Sequence, residues 1–397
     1  MMAKKNRLSI PSNQKRWNPG RLRAHSTFPV VLLSVLLLGV LLLAGCDIEA
    51  TSTPLPTPLP TPEPGGATWW KVSFTEPNQL NDPEVLDGTI EEDLIARIGQ
   101  AKESIHIAAF EFNLTPIAQA LIAAHQNGVE VQWVTDDENG LEADSEEDHG
   151  QFAMLQGADI EVRDDGRSAL MHNKFIIFDD QTVWTGATNL TVNGIFHNNN
   201  NAIVIESPAV AAMYEREFDE MWSGEFGPTS PSTVDQQRTT VEGTPIQILF
   251  ASEDNAIDFI IPLVSGAQES IHFMAFSFTH DGLSEAMQER AASGVAVSGI
   301  FETRGSETEF SELPPMYCAG LAVRQDGNPS TFHHKVIVID GRIVITGSLN
   351  FSNNADESND ENVVILNNPE IAAQYLQEFE RRWGEAKQPD AADMNCK

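Results

Sequence analysis

The chain has 397 residues, 41% of them hydrophobic, which is enough for one large domain or two medium ones. Its 24 Lys+Arg stand against 58 Asp+Glu, a formal net charge of −34. That balance excludes the extended basic track with which non-specific nucleic-acid binders grip phosphate backbones, and any anionic substrate must be drawn in by a local basic pocket.

The charge is unevenly placed. Residues 1–45 hold the cations Lys4, Lys5, Arg7, Lys15, Arg16, Arg21 and Arg23 and no acid. They lead into an apolar run from Phe28 to Leu43 and then Ala44-Gly45-Cys46. This start resembles a bacterial lipoprotein signal, 1–45, with Cys46 acylated as the mature N-terminus; an uncleaved anchor is the other reading. Either places the remainder in the cell envelope, tethered to the membrane on its extracytoplasmic side. Residues 46–66, with Thr53-Pro54-Leu55-Pro56-Thr57-Pro58, read as a stiff Pro/Thr linker at about 3.1 Å per residue. No later apolar run approaches the roughly 20 residues a membrane span needs.

Folded sequence begins near Trp69. Ile105 to Phe110 reads as a buried strand, Pro116 to Gln126 as a helix stopped by Gly128, and Val129 to Val134 as an alternating strand. The acidic stretch Asp136 to Asp148 lacks the spacing of a calcium-binding loop and reads as a solvated rim. A short helix and a strand from Asp159 to Arg163 follow. A further strand from Ala202 to Ile205 leads to a helix from Ala209 to Trp222. The order then repeats. Ala101-Lys102-Glu103-Ser104-Ile105-His106 returns as Ala267-Gln268-Glu269-Ser270-Ile271-His272, and the closing helix returns from Ile371 to Trp383. The expectation is an α/β duplication with mostly parallel strands, lobe 1 at 67–228, a linker at 229–244, lobe 2 at 245–390 and a tail at 391–397. Cys318 and Cys396 either form one disulfide outside the cytoplasm or stay free.

One polar signature occurs in both halves. Met171-His172-Asn173-Lys174 precedes apolar residues and Asp179, then Thr185-Gly186-Ala187-Thr188-Asn189. Phe332-His333-His334-Lys335 precedes apolar residues and Asp340, then Thr346-Gly347-Ser348-Leu349-Asn350. Both fit His-x-Lys-x4-Asp and Thr-Gly-x-x-Asn. A neutral imidazole can attack phosphorus and hold the phosphoryl group; a protonated one can donate to the leaving oxygen. Two lysines and two amides can neutralise and orient the non-bridging oxygens. The two glycines are expected to let backbone approach the substrate. His106 and His272 sit at matching strand positions and read as core or supporting residues.

At these residues the chain resembles the phospholipase D superfamily, over roughly 69–388. The resemblance implies two duplicated α/β/α lobes related by a pseudo-twofold axis, with one active site at their interface, so that a monomer suffices. It also implies a metal-independent phosphodiesterase, with no cofactor, that forms a phosphohistidine. His172, Lys174, Asn189, His333, Lys335 and Asn350 match the catalytic and phosphate-binding positions, and Asp179 and Asp340 the motif aspartates, mainly structural in the family. Members often carry a carboxylate 25–30 residues after the motif histidine. Glu361 occupies that place in the second copy and Asn200 in the first. The expectation is that Glu361 serves His333 and Asn200 serves His172, so His333 rests protonated as the acid and His172 neutral as the nucleophile. This accords with the family tendency for the first motif to supply the nucleophile.

Tethering at a membrane and the absence of basic tracks favour a phospholipid over nucleic acid as the phosphodiester. The compact halves and Leu170-Met171-His172-Asn173-Lys174 resemble the small cardiolipin-hydrolase-like and nuclease-like members. A metal-free extracytoplasmic endonuclease is the alternative, and a non-catalytic binding lipoprotein the second.

Overall fold

Each lobe is a sheet whose parallel strands are laid down by strand–helix alternation and whose antiparallel strands are added by hairpins. The computed structural model describes residues 68–233 and 236–396. The signal stretch, Cys46 and the Pro/Thr linker lie outside the described residues. Among the described residues no helix is long and apolar enough to cross a membrane.

Lobe 1 runs β1 (Trp70–Phe74), α1 (Ile90–Ile98), β2 (Ser104–Ala109), α2 (Thr115–Gln126), β3 (Glu130–Thr135), α3 (Gln151–Gly157), β4 (Glu161–Asp164), β5 (Lys174–Phe178), β6 (Thr182–Gly186), β7 (Asn201–Glu206) and α4 (Pro208–Trp222). Lobe 2 runs β8 (Arg238–Val241), β9 (Thr244–Ala251), α5 (Ala256–Ser265), β10 (Ser270–Ala275), α6 (Asp281–Ala292), β11 (Ala296–Phe301), α7 (Leu313–Cys318), β12 (Ala322–Gln325), β13 (Lys335–Ile339), β14 (Ile343–Gly347), α8 (Asn353–Glu357), β15 (Glu361–Asn367) and α9 (Pro369–Glu385). β8 falls within the stretch read as a linker. The sheet orders are β1-β7-β6-β5-β2-β3-β4 and β12-β11-β10-β13-β14-β15-β9-β8.

The expectation of mostly parallel strands is corrected. Only β2–β3–β4 and β10–β11–β12 pair in parallel. The strand carrying each Lys enters antiparallel to β2 or β10 and turns back through a tight hairpin. Asp179 and Asp180 make one turn and Asp340 and Gly341 the other, all four at positive φ. Asp-Gly is a strong hairpin signal, because a two-residue turn needs left-handed backbone at both positions.

Three apolar cores hold the layers. One packs α1, α2 and α3 against the outer face of the first sheet around Leu94, Leu121 and Trp133. Another packs α5 and α6 against the second around Ile260, Phe273 and Met287. The third is shared: Phe175, Tyr214 and Phe218 of lobe 1 join Phe250, Tyr375 and Phe379 of lobe 2. α4 and α9 lie in this shared core, α4 against β5 and β6 and α9 against β13 and β14. Both helices start alike, on a side-chain cap followed by proline: Ser207 accepts from Val210 N, and Asn368 accepts from Glu370 N and Ile371 N. Each fully buried large apolar side chain contributes about 1.5–3 kcal/mol, so the shared core alone can keep two lobes together. A disulfide joins Cys318, at the end of α7, to Cys396.

Candidate active site

The cleft is built where β5 and β13 begin. His172 and His333 sit just before these strands, in short cross-lobe backbone pairs. His172 N donates to Asp360 O (2.9 Å) and Asp360 N to Leu170 O (2.9 Å); His333 N donates to Asn199 O (2.9 Å) and Asn199 N to Thr331 O (2.9 Å). Each lobe therefore threads the residues preceding its β7 or β15 beneath the other lobe's histidine.

That crossing overturns the expected pairing. His172 Nδ1 meets Glu361 Oε2 at 2.7 Å, and His333 Nδ1 meets Asn200 Oδ1 at 3.0 Å. Each histidine is served from the other lobe, so the carboxylate belongs to His172. Asn200 Nδ2 donates to Gly194 O (2.9 Å), which turns its oxygen to His333. In both rings the Nδ1 proton is held and Nε2 is left for chemistry. Glu361 is fully buried and also accepts from Ser348 Oγ (2.6 Å) and Asn359 Nδ2 (3.1 Å).

The lysines face the same space. Lys174 Nζ donates to His172 O (2.8 Å), while Lys335 Nζ lies 3.1 Å from His333 Nε2 and 3.2 Å from His333 O. Phe110 packs edge-on to His172 and Phe276 tilts against His333, with each neighbouring lysine over its ring. Burial sets the electrostatics. It holds Lys174 down to about 8, with Glu361, Glu111 and Asp136 pulling the other way. Burial and Lys174 likewise hold Lys335 well below the ordinary lysine range, with Glu361 pulling the other way. Burial and the two lysines hold both histidines well below the ordinary imidazole range. Burial raises Glu361 to about 7 against the pull of Lys174 and its two donors. The result is a cluster of two buried lysines and two buried histidines with one buried carboxylate, Glu361, behind His172.

Asn189 and Asn350 end the Thr-Gly-x-x-Asn stretches, both half-buried with an unpartnered carbonyl oxygen. The glycines do something other than expected. A Cβ on Gly186 would lie 2.4 Å from Asn201 O, and one on Gly347 2.1 Å from Asn362 O. They admit the neighbouring strand rather than substrate. Asp179 and Asp340 are not in the cleft. Each caps the far end of its strand and accepts three backbone N–H groups, from Lys102, Glu103 and Ser104, and from Gln268, Glu269 and Ser270. His106 pairs with Glu215 and stacks on Phe218, also away from the cleft.

Several supporting residues were not singled out from sequence. Asn362 Oδ1 accepts from Lys174 N and its Nδ2 donates to Thr185 Oγ1; Asn201 repeats this with His334 Nδ1 and Thr346 Oγ1. Asp136 accepts from Met171 N, and Glu302 from Phe332 N, fixing the residue before each histidine. Asp136 is buried, so the stretch read as solvated rim begins with a scaffold residue. The missed signal lies in the repeat itself: Asn201 and Asn362 occupy matched positions beside Asn200 and Glu361. Among the described residues the acids close enough to share a cation are Asp136, Asp137 and Asp165, within 4.8 Å of one another. Asp136 and Asp165 are already spent on backbone N–H groups and Arg167.

A sequence profile described as "Cardiolipin synthase, PLD-like domain" matches twice, at residues 94–222 and 260–383. The chain belongs to the phospholipase D superfamily. Both copies of the phospholipase D motif fall inside those matches, and so do the crossed partners Asn200 and Glu361. Mitochondrial cardiolipin hydrolase of Xenopus tropicalis is 36% identical over 132 residues, 33% of this chain and 63% of that protein. Phospholipase D of Rickettsia bellii is 33% identical over 134 residues, 34% of this chain and 67% of that protein. The chain thus spans about three fifths to two thirds of the length of these relatives. Among solved structures, phosphatidylserine synthase of Haemophilus influenzae covers 79% of this chain and 85% of its own, with a TM-score of 0.57 at 16% identity. That likeness extends the phospholipase D fold over both lobes together.

Proposed function

We propose that the protein is a phosphodiesterase that hydrolyses the distal phosphodiester bond of a membrane phospholipid, with His172 as nucleophile and His333 as general acid. The observation that carries this is the crossed His172–Glu361 pair facing His333, Lys174 and Lys335 in one buried cleft. The role assignment keeps the order expected from sequence but on different grounds. Attack through Nε2 places positive charge on the ring, and a carboxylate at Nδ1 stabilises that charge where an amide does not. His333, with only Asn200 behind it, holds a proton weakly and so gives it up readily to a leaving alkoxide.

His172 Nε2 attacks phosphorus, the bond to the head-group oxygen breaks, and that oxygen takes the proton from His333 Nε2. Water then attacks phosphorus, gives a proton back to His333, and the N–P bond breaks to release phosphatidate. His333 rests neutral beside Lys335; the incoming anion offsets the lysines and lets the ring take up the proton it needs. The Lys174 and Lys335 ammonium groups, Asn189 and Asn350 hold the non-bridging oxygens. The chain's own groups complete every step.

Phospholipid is favoured over nucleic acid by the net charge of −34. The relatives named for cardiolipin and phospholipid hydrolysis point the same way. Acylation at Cys46 would hold the enzyme at its substrate on the extracytoplasmic face. The test uses the full chain in mixed micelles with EDTA, against phosphatidylcholine, phosphatidylglycerol, cardiolipin and plasmid DNA, with His172→Ala and His333→Ala alongside. Lipid turnover that persists in EDTA and vanishes in both variants is expected. Turnover of DNA alone, or loss of lipid turnover on EDTA addition, would refute the proposal.

A further inference from the structure

The two half-sites match at Phe110 and Phe276, Lys174 and Lys335, and Asn189 and Asn350, but differ at several other positions, two of which set a carboxylate against a cleft residue in one half alone. One is Glu361 against Asn200. The other is the residue after each cleft phenylalanine: Glu111 in lobe 1 and Ser277 in lobe 2. Glu111 is half-buried, and one of its oxygens accepts from Asn189 Nδ2. Its second oxygen has no hydrogen-bond partner among the described residues. Burial raises the Glu111 carboxyl above its ordinary range, and Lys174, Asn189 and His149 pull the other way.

A carboxylate here is costly for a site that must hold an anion. It offsets Lys174 and is bonded to Asn189, one of the two amides assigned to the phosphodiester. Such a charge has a use if the substrate also brings a cation. Glu111 follows Phe110 in the chain, and the Phe110 ring centroid lies 4.8 Å from that of His172 and 5.1 Å from Lys174 Nζ. A small head group leaving the phosphorus therefore stays within reach of Glu111. We propose that Glu111 is a specificity-determining residue: its free oxygen accepts a hydrogen bond from the ammonium group of an ethanolamine-type head group, so zwitterionic phospholipids are taken in preference to anionic ones. The inference rests on the phospholipid reading above and supplies the head-group class. A primary ammonium two carbons from the leaving oxygen carries three donors and the opposite charge. A glycerol head group brings only hydroxyls. The second phosphate of a cardiolipin would meet the Glu111 charge as a like charge.

The bland role for Glu111 is to orient Asn189, and the test separates the two. Glu111→Gln keeps an acceptor for Asn189 and removes the charge, and Glu111→Ser copies lobe 2. The full chain is assayed on phosphatidylethanolamine and phosphatidylglycerol in neutral-detergent micelles, and kcat/KM is compared as a ratio. A charge-assisted hydrogen bond of this kind is expected to favour ethanolamine about tenfold or more in the wild type. That ratio should fall toward one in both variants. An equal loss on both lipids with the ratio kept would make Glu111 a positioning residue for Asn189 and overturn the inference. So would the absence of any ethanolamine preference in the wild type, a reading that needs no variant to fold. Turnover of plasmid DNA without lipid turnover would instead refute the phospholipid reading itself.

Discussion

What separates the two imidazoles is the atom behind each Nδ1. Glu361 behind His172 and Asn200 behind His333 make a chemically unequal pair out of a repeated motif. The pH profile should show it. Glu361 works as a carboxylate, so activity falls as pH drops through about 7 and it takes a proton. Lys174 works as an ammonium, so activity falls as pH rises through about 8 and it loses one. A narrow bell in kcat/KM is expected, and Glu361→Gln should remove the acid limb while lowering kcat at least about 100-fold, as loss of a histidine-orienting carboxylate does elsewhere. An unchanged acid limb in that variant would place the titration on another group. The motif was legible because polar residues stand out in apolar strands. The partners were not: Glu361 lies 28 residues after His333, a spacing that suits pairing within a lobe as well as across lobes.

Among the elements, the repeated β5–β6 and β13–β14 hairpins do the positioning. Asp340, pinned by backbone N–H groups, anchors the far end of β13, so Lys335 is held from behind; those bonds keep its carboxyl below the usual range despite partial burial. Asp340→Asn should cost about 1–3 kcal/mol of stability in urea unfolding yet leave kcat/KM per folded molecule within a few fold. A collapse of kcat/KM in fully folded protein would return Asp340 to the chemistry. Gly347 stands at φ +146° with Asn362 O in the way of any Cβ. Gly347→Ala should destabilise by about 3 kcal/mol or more, because both strain and overpacking act there. Helices α2, α4 and α9 and strands β2, β3, β4 and β7 were legible from periodicity, whereas α1, α5, β1 and β9 were not read and β8 fell in the stretch read as linker. The antiparallel pairing in each sheet was not legible either, although Asp340-Gly341 carried a readable turn signal.

Over the whole molecule, the lobes share a core and also a set of buried acids. Glu217 on α4 corresponds to Glu378 on α9, but Glu378 meets His334, Arg381 and Arg382, whereas Glu220 and Met221 stand where those arginines would be. Burial, reinforced by neighbouring acids, pushes Glu217 far up and Glu253 to about 9; burial raises Asp360 to about 7 despite Arg167. These carboxyls bind protons more tightly folded than unfolded. Their contribution is full below about 4.5, the ordinary Glu value, and is lost as pH climbs toward 9. The melting temperature should therefore fall between pH 5 and pH 9, and Glu217→Gln should flatten that fall; a flat wild-type curve would contradict it. Duplication was visible in sequence, whereas the threading of each lobe beneath the other was not, since only docking decides it. In the proposed mechanism that threading, which sets Glu361 behind His172, is what assigns His172 the nucleophile's role. The most direct test is to turn over bis(p-nitrophenyl) phosphate with the His333→Ala variant, whose good leaving group needs no acid, quench in alkali and map the phosphorylated peptide. Phosphate on the peptide containing His172 is the predicted result. Wild-type phosphate on the peptide containing His333, or none on His172 during turnover, would contradict it.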